Sequence, residues 1–270
     1  MATAFQSRPF GSTGIVAMPL GLSASYYPGK KAIHVAADEG VNFFFAFGFD
    51  IQMIRALREL LPSRRDKIVL VTGAYNYVWA AQNIRKAFEK RLRQFKTDFI
   101  DIFLFLGVLK PAEFSLRTHE ELLKLKDEGK VKAIGLSCHN REFLGRLAAN
   151  GDVNTLMLRY NAAHRGAERD IFPFLTVHNP GAISYTATRW TYLLRRPKSL
   201  PKDTRIPTAA ECYRFVLSNP NVHVVLTAPK NERELRENLE AIRRGPLDED
   251  DMIFMRQFGD AVHNQKKWFM

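Results

Sequence analysis

Thr118-His119-Glu120-Glu121-Leu122-Leu123-Lys124-Leu125-Lys126-Asp127-Glu128-Gly129-Lys130-Val131-Lys132-Ala133-Ile134-Gly135-Leu136-Ser137 passes from a helix into a strand. The helical pattern over residues 118–128 stops at Gly129, the residue type that most readily takes the left-handed turn beyond a helix end. The apolar run over 131–137 then reads as a strand. The unit repeats in both directions along the chain. Eight candidate strands fall at residues 17–22, 41–45, 67–72, 99–106, 131–137, 155–159, 181–185 and 223–227. Amphipathic segments separate them, such as 79–95, where Ile84, Ala87, Phe88, Leu92 and Phe95 recur at helical spacing. Pro207 opens another helix over 208–217.

Strands alternating with helices along the whole chain predict an α/β fold of the closed (β/α)8 TIM-barrel kind. An open doubly wound sheet would carry a glycine-rich phosphate loop after its first strand, and Gly21-Leu22-Ser23-Ala24-Ser25 is not one. The 270 residues suit a single barrel domain over 1–270, since such barrels take about 250. Ahead of the first strand, Phe10-Gly11-Ser12-Thr13-Gly14-Ile15-Val16 reads as an N-terminal β-hairpin. Pro246-Leu247-Asp248-Glu249-Asp250-Asp251 begins an extra C-terminal helix whose acids gather in its first turn, where the helix dipole favours them.

Composition narrows the class. No apolar run is long enough to cross a membrane as a helix, and Met1 to Pro9 lacks the apolar core of a signal peptide. Two cysteines, Cys138 and Cys212, argue against a disulfide framework and for a reducing compartment, so a cytoplasmic protein is expected. The formal charge of +12 attracts polyanions without specifying which. Its positive residues are dispersed on helices, as with Arg85, Lys86, Lys90, Arg91, Arg93 and Lys96, and one denser stretch runs over 189–205. No nucleic-acid-binding motif accompanies them, so the charge reads as a solvated basic surface. No His, Cys, Asp or Glu cluster has metal-ligand spacing.

Glu39-Gly40-Val41-Asn42-Phe43-Phe44 resembles the second-strand signature of the aldo-keto reductases. Leu92-Arg93-Gln94-Phe95-Lys96-Thr97-Asp98-Phe99-Ile100-Asp101 resembles that family's passage into its fourth strand, with Phe95 and Lys96 as departures. The stretch over 122–137 is a more specific match, to the unit preceding the nicotinamide contacts. Arg159-Tyr160-Asn161, Ser218-Asn219-Pro220-Asn221-Val222 and Glu234-Leu235-Arg236-Glu237-Asn238-Leu239 follow in the family's order. The resemblance implies a hairpin-closed barrel and hydride transfer from a nicotinamide to a carbonyl carbon. In that family a Tyr protonates the developing alkoxide, a Lys held by an Asp lowers the Tyr pKa, and a His orients the carbonyl.

The same resemblance implies that all four groups are missing. Phe45 occupies the Asp slot, and Asp50, or Phe49 with a loop one residue shorter, the Tyr slot. Gly73 occupies the Lys slot and Leu106 the His slot. Candidate substitute acids near the rim are His139, Tyr75, Tyr77 and Asp50, with His139 favoured on intrinsic pKa.

On the cofactor side, Tyr185 fills the nicotinamide-stacking position and Ser137 a carboxamide-contacting one. Cys138 and Met157 replace the usual Asn and Gln. Arg189 or Arg195 would pair the pyrophosphate. Lys230, with Arg233 or Arg236, would pair an adenosine 2′-phosphate, and Glu237 and Asn238 would meet the adenine. NADP(H) is therefore the expected cofactor, and a nicotinamide nucleotide and an unidentified small molecule the expected partners. Each assignment has a plainer counterpart: Tyr185 as a strand-end aromatic, the basic trio as a solvated helix face, Ser137 or Asn140 as a helix cap. Two functions follow, a divergent NADP(H)-dependent oxidoreductase or a non-catalytic nucleotide-binding, regulatory pseudoenzyme.

Overall fold

The structure, a computed structural model, describes residues 4–76 and 81–265; Tyr77 lies outside the described residues. Its first strands, β1 (Arg8–Pro9) and β2 (Val16–Ala17), pair antiparallel as the expected hairpin. The barrel units follow as β3 (Leu20–Ser23) and α1 (Lys30–Asp38), β4 (Phe43–Phe45) and α2 (Ile51–Arg64), β5 (Val69–Tyr75) and α3 (Ile84–Phe95), β6 (Ile100–Val108) and α4 (Leu116–Asp127). Then come β7 (Val131–Cys138) and α5 (Arg141–Asn150), β8 (Thr155–Arg159) and the short α6 (Ala167–Asp170), β9 (Gly181–Tyr185) and α7 (Ala209–Leu217), β10 (Val224–Thr227) and α8 (Glu232–Arg243). A last helix, α9 (Glu249–Gln265), closes the order. Strands β3 to β10 form one closed parallel barrel, as the alternation predicts. Among the described residues no helix is long and apolar enough to cross a membrane.

Alternation along each strand separates two cores. Phe43, Phe45, Val69, Val71, Ile102, Leu104, Ala133, Ile183 and Val224 fill the barrel interior. Phe44, Leu70, Phe103, Phe105, Ile134 and Leu156 face the surrounding helices. The hairpin closes the N-terminal end. Phe10 is fully buried, its ring 5.4 Å from Phe43 and 5.7 Å from His223. Gly181 makes room for it, because a Cβ there would overlap the Phe10 ring.

Side-chain caps fix where the helices start, and all these starts lie at the opposite rim, the C-terminal ends of the strands. Asp50, Asn83, Ser115, Asn140, Thr208 and Asn231 each accept a backbone N–H of the first turn, and Thr208 forms a capping box with Glu211. The cap on α5 is therefore Asn140, which frees Ser137 to point into the barrel. The positive ends of the helix dipoles ring the mouth.

His223 ties the closed end to pH. The Ala182 N–H donates to its Nδ1 at 3.0 Å, an acceptance only a neutral ring can make. Burial, and then Arg8, lower its pKa to about 4. Above pH ~6.5 folded and unfolded chains both hold it neutral; below that the unfolded chain alone takes the proton. Stability should fall as pH drops from about 6.5 toward 4, by at most roughly 1.4 kcal/mol per unit from this group. Urea unfolding across that window measures it, and His223→Gln should flatten the slope; an unchanged slope would remove His223 from the account.

Candidate functional site

The mouth of the barrel gathers most of the residues singled out in the sequence. Phe45 ends β4, 1% exposed, with its ring edge-on to Phe47 at 4.8 Å. Phe47 stacks on Phe49 at 5.2 Å, and Phe49 is 65% exposed. The aromatic run thus starts in the core and ends on the rim. Asp50 is not directed into the mouth as a free acid. Its Oδ1 caps α2 by accepting the Met53 N–H at 3.2 Å, and Oδ2 has no partner among the described residues. Burial raises its pKa.

Gly73 lies in the middle of β5, paired with Leu104 of β6. A Cβ at Gly73 would stand well under 3.0 Å from the Leu104 carbonyl oxygen, and Leu106 Cδ1 lies close behind it. The backbones approach so closely here that no side chain fits. Leu106 itself is buried and joins the interior core.

Two residues beyond Gly73, Tyr75 points inward at the end of β5, and its Oη accepts the Gly48 N–H at 2.8 Å. Arg91 sits beneath it. The dispersed, solvated reading of the basic residues is corrected here, since Arg91 is only 2% exposed. Its Nε donates to the Gly73 carbonyl at 3.2 Å and its Nη1 to Gln94 Oε1 at 2.6 Å. Gln94 in turn donates to the Gly48 carbonyl at 2.8 Å. The guanidinium lies 5.5 Å from the Tyr75 ring centroid. Its burial was readable in the sequence, because Arg91 follows Ala87 and Phe88 and precedes Phe95 on the apolar stripe of α3.

Across the mouth, β7, β8 and β9 bring Ser137, His139, Arg159 and Tyr185 together, all half-buried. The Tyr185 hydroxyl bonds the Ser137 side chain and lies 3.4 Å from His139 Nδ1. Burial pushes the Tyr185 phenol up to about 12. Burial, and then Arg159, lower the His139 pKa, so its ring is neutral at pH 7 and able to accept or donate one hydrogen bond. The Cys138 thiol is buried behind the strand and pushed up to about 11, which leaves it a poor nucleophile. Arg189, expected as a pyrophosphate partner, is fully buried and donates to the Val262 carbonyl in the last turn of α9 at 2.6 Å. Arg195 is exposed and stays at the surface of the same loop.

The α8 end of the site is divided. Lys230 and Arg233 are at the mouth-side start of α8, Lys230 exposed and Arg233 loosely paired with Glu237 at 3.3 Å. Arg236 is committed elsewhere, to Glu232 at 3.0 Å and to Glu39 at 2.7 Å. Asn238 is buried and donates to Thr227 Oγ1 at 3.0 Å. Among the described residues no group of acidic, His or Cys side chains could hold a metal.

The donor groups at the two ends are of the types through which a nicotinamide dinucleotide is held. Lys230 and Arg233 suit a phosphate dianion, while Glu232 and Glu234 share the first turn of α8 and Asn231 already accepts the Glu234 N–H. Ser137 and His139 suit a carboxamide, with the Tyr185 ring as a face for a flat heterocycle.

A parallel barrel with its polar and aromatic groups collected at the C-terminal rim is the usual arrangement of a barrel enzyme. The Aldo/keto reductase family model matches residues 29–259, and the chain belongs to that family. It is similar to the aldo-keto reductase YhdN of Bacillus subtilis, 26% identical over 160 residues, 53% of this chain and 47% of that protein. It is also similar to an NADH-specific methylglyoxal reductase of Escherichia coli, 22% identical over 216 residues, 67% of this chain and 65% of that protein. The chain thus spans less than two thirds of either relative. In fold, it matches the holo form of the aldo-keto reductase AKR11C1 from Bacillus halodurans with a TM-score of 0.79, covering 95% of this chain and 97% of that one at 18% identity.

Proposed function

We propose that this chain is a single barrel domain and an NADP(H)-binding, aldo-keto reductase-like oxidoreductase with a non-standard active site. The observation that carries the reading is Tyr185, inward at the end of β9 and bonded to Ser137, with His139 beside it. That trio supports a nicotinamide face and a carboxamide contact on the side of the mouth where the family resemblance assigns them. Lys230 and Arg233 at the start of α8 support the 2′-phosphate. Arg236 and Asn238, expected at the same nucleotide end, bond Glu39 and Thr227 in this structure. A bound reduced nicotinamide would supply a hydride; the chain's own residues would position it, exclude water with the Phe45, Phe47 and Phe49 rings, and provide the proton. Cys138 and Cys212 are both free and buried, which supports a reducing, cytoplasmic setting.

Fluorescence titration with NADPH and NADH tests the reading. Saturable binding of NADPH is expected, with Lys230→Ala and Arg233→Ala each weakening NADPH about 10-fold or more and NADH little, as loss of a charge-assisted hydrogen bond predicts. One similar protein is NADH-specific by name, so equal loss for both nucleotides would count against NADP preference.

The closed Gly73 position favours a second reading, a nucleotide-binding protein without turnover, serving a regulatory role. Binding of NADPH with no reduction of any aldehyde or quinone in a broad panel would select it.

A further inference from the structure

We propose that Tyr75, polarised by the Arg91 guanidinium and the Gly48 N–H, is the proton donor to a carbonyl oxygen bound at the barrel mouth, and so takes the part of the family's tyrosine–lysine pair. The inference rests on the oxidoreductase reading above. Three placements carry it.

The first is position around the barrel. In the strand order β5 and β9 are four steps apart in either direction, so Tyr75 and Tyr185 stand on opposite walls of the same interior. The second is where the phenol oxygen goes. It accepts a backbone N–H from Gly48, in the loop between Phe45 and Asp50 to which the resemblance assigns the family's own tyrosine. The oxygen has been supplied from the neighbouring strand.

The third is the cation. Arg91 brings a permanent positive charge to 5.5 Å from the Tyr75 ring, and its Nε bonds the carbonyl of Gly73, the residue in the family's lysine slot. Gly48 permits the approach: a Cβ there would overlap the guanidinium carbon and both terminal nitrogens. A positive charge and a donated N–H both favour the phenolate that remains after proton transfer. Uncharged groups flank Tyr75 among the described residues. Gln82 Oε1 accepts the Tyr75 backbone N–H, Phe47 and Phe49 flank the ring at 6.2 and 5.9 Å, and Leu106 packs from β6. Asp50, two residues past Gly48, is a carboxyl whose neutral form burial favours.

The chemistry balances without a further reactant. A bound reduced nicotinamide would supply the hydride to the carbonyl carbon and would itself be left oxidised. The C=O π bond and the Tyr75 O–H bond break as the new C–H and O–H bonds form, and the carbonyl becomes an alcohol. The Tyr75 phenolate then recovers a proton from water.

Two measurements decide the matter. In the protein without nucleotide, the phenolate absorbance of wild type minus Tyr75→Phe isolates the Tyr75 titration. Arg91→Met should move that midpoint up by about one unit or more. Gly48→Ala, which displaces the guanidinium without deleting it, should move it the same way if Arg91→Met does not fold. No upward movement in either folded variant overturns the Arg91 role. With NADPH, turnover of benzaldehyde or phenanthrenequinone should fall about 100-fold or more in Tyr75→Phe, with NADPH affinity unchanged. Retained turnover in that variant overturns the assignment, as does a wild type that binds NADPH and reduces neither probe. Failure to bind NADPH at all is read separately in the titration and removes the oxidoreductase reading itself.

Discussion

Gly73→Lys, the substitution that returns the family's residue to its slot, should damage the barrel rather than rebuild a reductase. The reason is geometric. Gly73 and Leu104 face one another in the β5–β6 ladder, and any Cβ at Gly73 would fall well under 3.0 Å from the Leu104 carbonyl oxygen. Backbone atoms cannot rotate away as a side-chain tip does. Accommodating even an alanine would force the two strands apart, and overpacking of this kind typically costs about 1–3 kcal/mol. A lysine adds a buried ammonium between Leu104 and Leu106, so a loss at the top of that range or beyond it is expected. At about 2–4 °C per kcal/mol for a domain of this size, the melting temperature should drop by roughly 5–10 °C. Thermal unfolding followed by circular dichroism reads the first effect, and reduction of an aldehyde panel the second. A variant that melts with wild type and gains reductase activity would show that β5 still has room for the lysine.

Phe10→Ala should have the other large effect, at the opposite end of the barrel. Phe10 is fully buried, packs on Phe43 and His223, and fills the space left by Gly181. Removing its ring leaves a cavity that the hairpin cannot close, because Gly11 on its far side is pressed against the backbone of residues 179–181. Large-to-small changes of this type cost about 3–5 kcal/mol. The expected fall in melting temperature is on the order of 10 °C. NADPH affinity should be unchanged at temperatures where the variant stays folded, since the plug and the mouth are at opposite ends of the strands. A small stability loss would mean that the hairpin only decorates the barrel.

Much of this architecture was readable from residue pattern alone. The strand ranges 155–159 and 181–185 coincide with β8 and β9, and the others shift by a few residues at their ends. These strands read clearly because short apolar runs stand between capped amphipathic helices. Of the predicted helix over 79–95, α3 takes up Ile84–Phe95, where Asn83 supplies the cap, and residues 79 and 80 lie outside the described residues. The C-terminal helix starts at Glu249, past the Pro246 turn.

The site was less legible, for reasons of three-dimensional geometry. Sequence order placed Tyr75 near the rim but gave no sign that its oxygen would meet Gly48. Arg91 looked like one more solvated charge, although its place on the α3 stripe marked it as buried. Arg189 and Arg195 were interchangeable in the sequence, and only the fold of the β9–α7 loop separates the buried one from the exposed one. Arg236 matches a nucleotide-binding pattern as a string, yet its guanidinium turns toward Glu39, a partner on α1 distant in the chain. Pairings between remote segments leave no local signature.

We propose that this barrel keeps a nicotinamide dinucleotide site while its proton relay has been rebuilt or lost. Isothermal titration of NADPH into the wild-type protein tests it most directly. Saturable one-to-one binding is expected, tighter for NADPH than for NADH and weakened by Lys230→Ala; heats indistinguishable from dilution for both nucleotides would rule out a nicotinamide site.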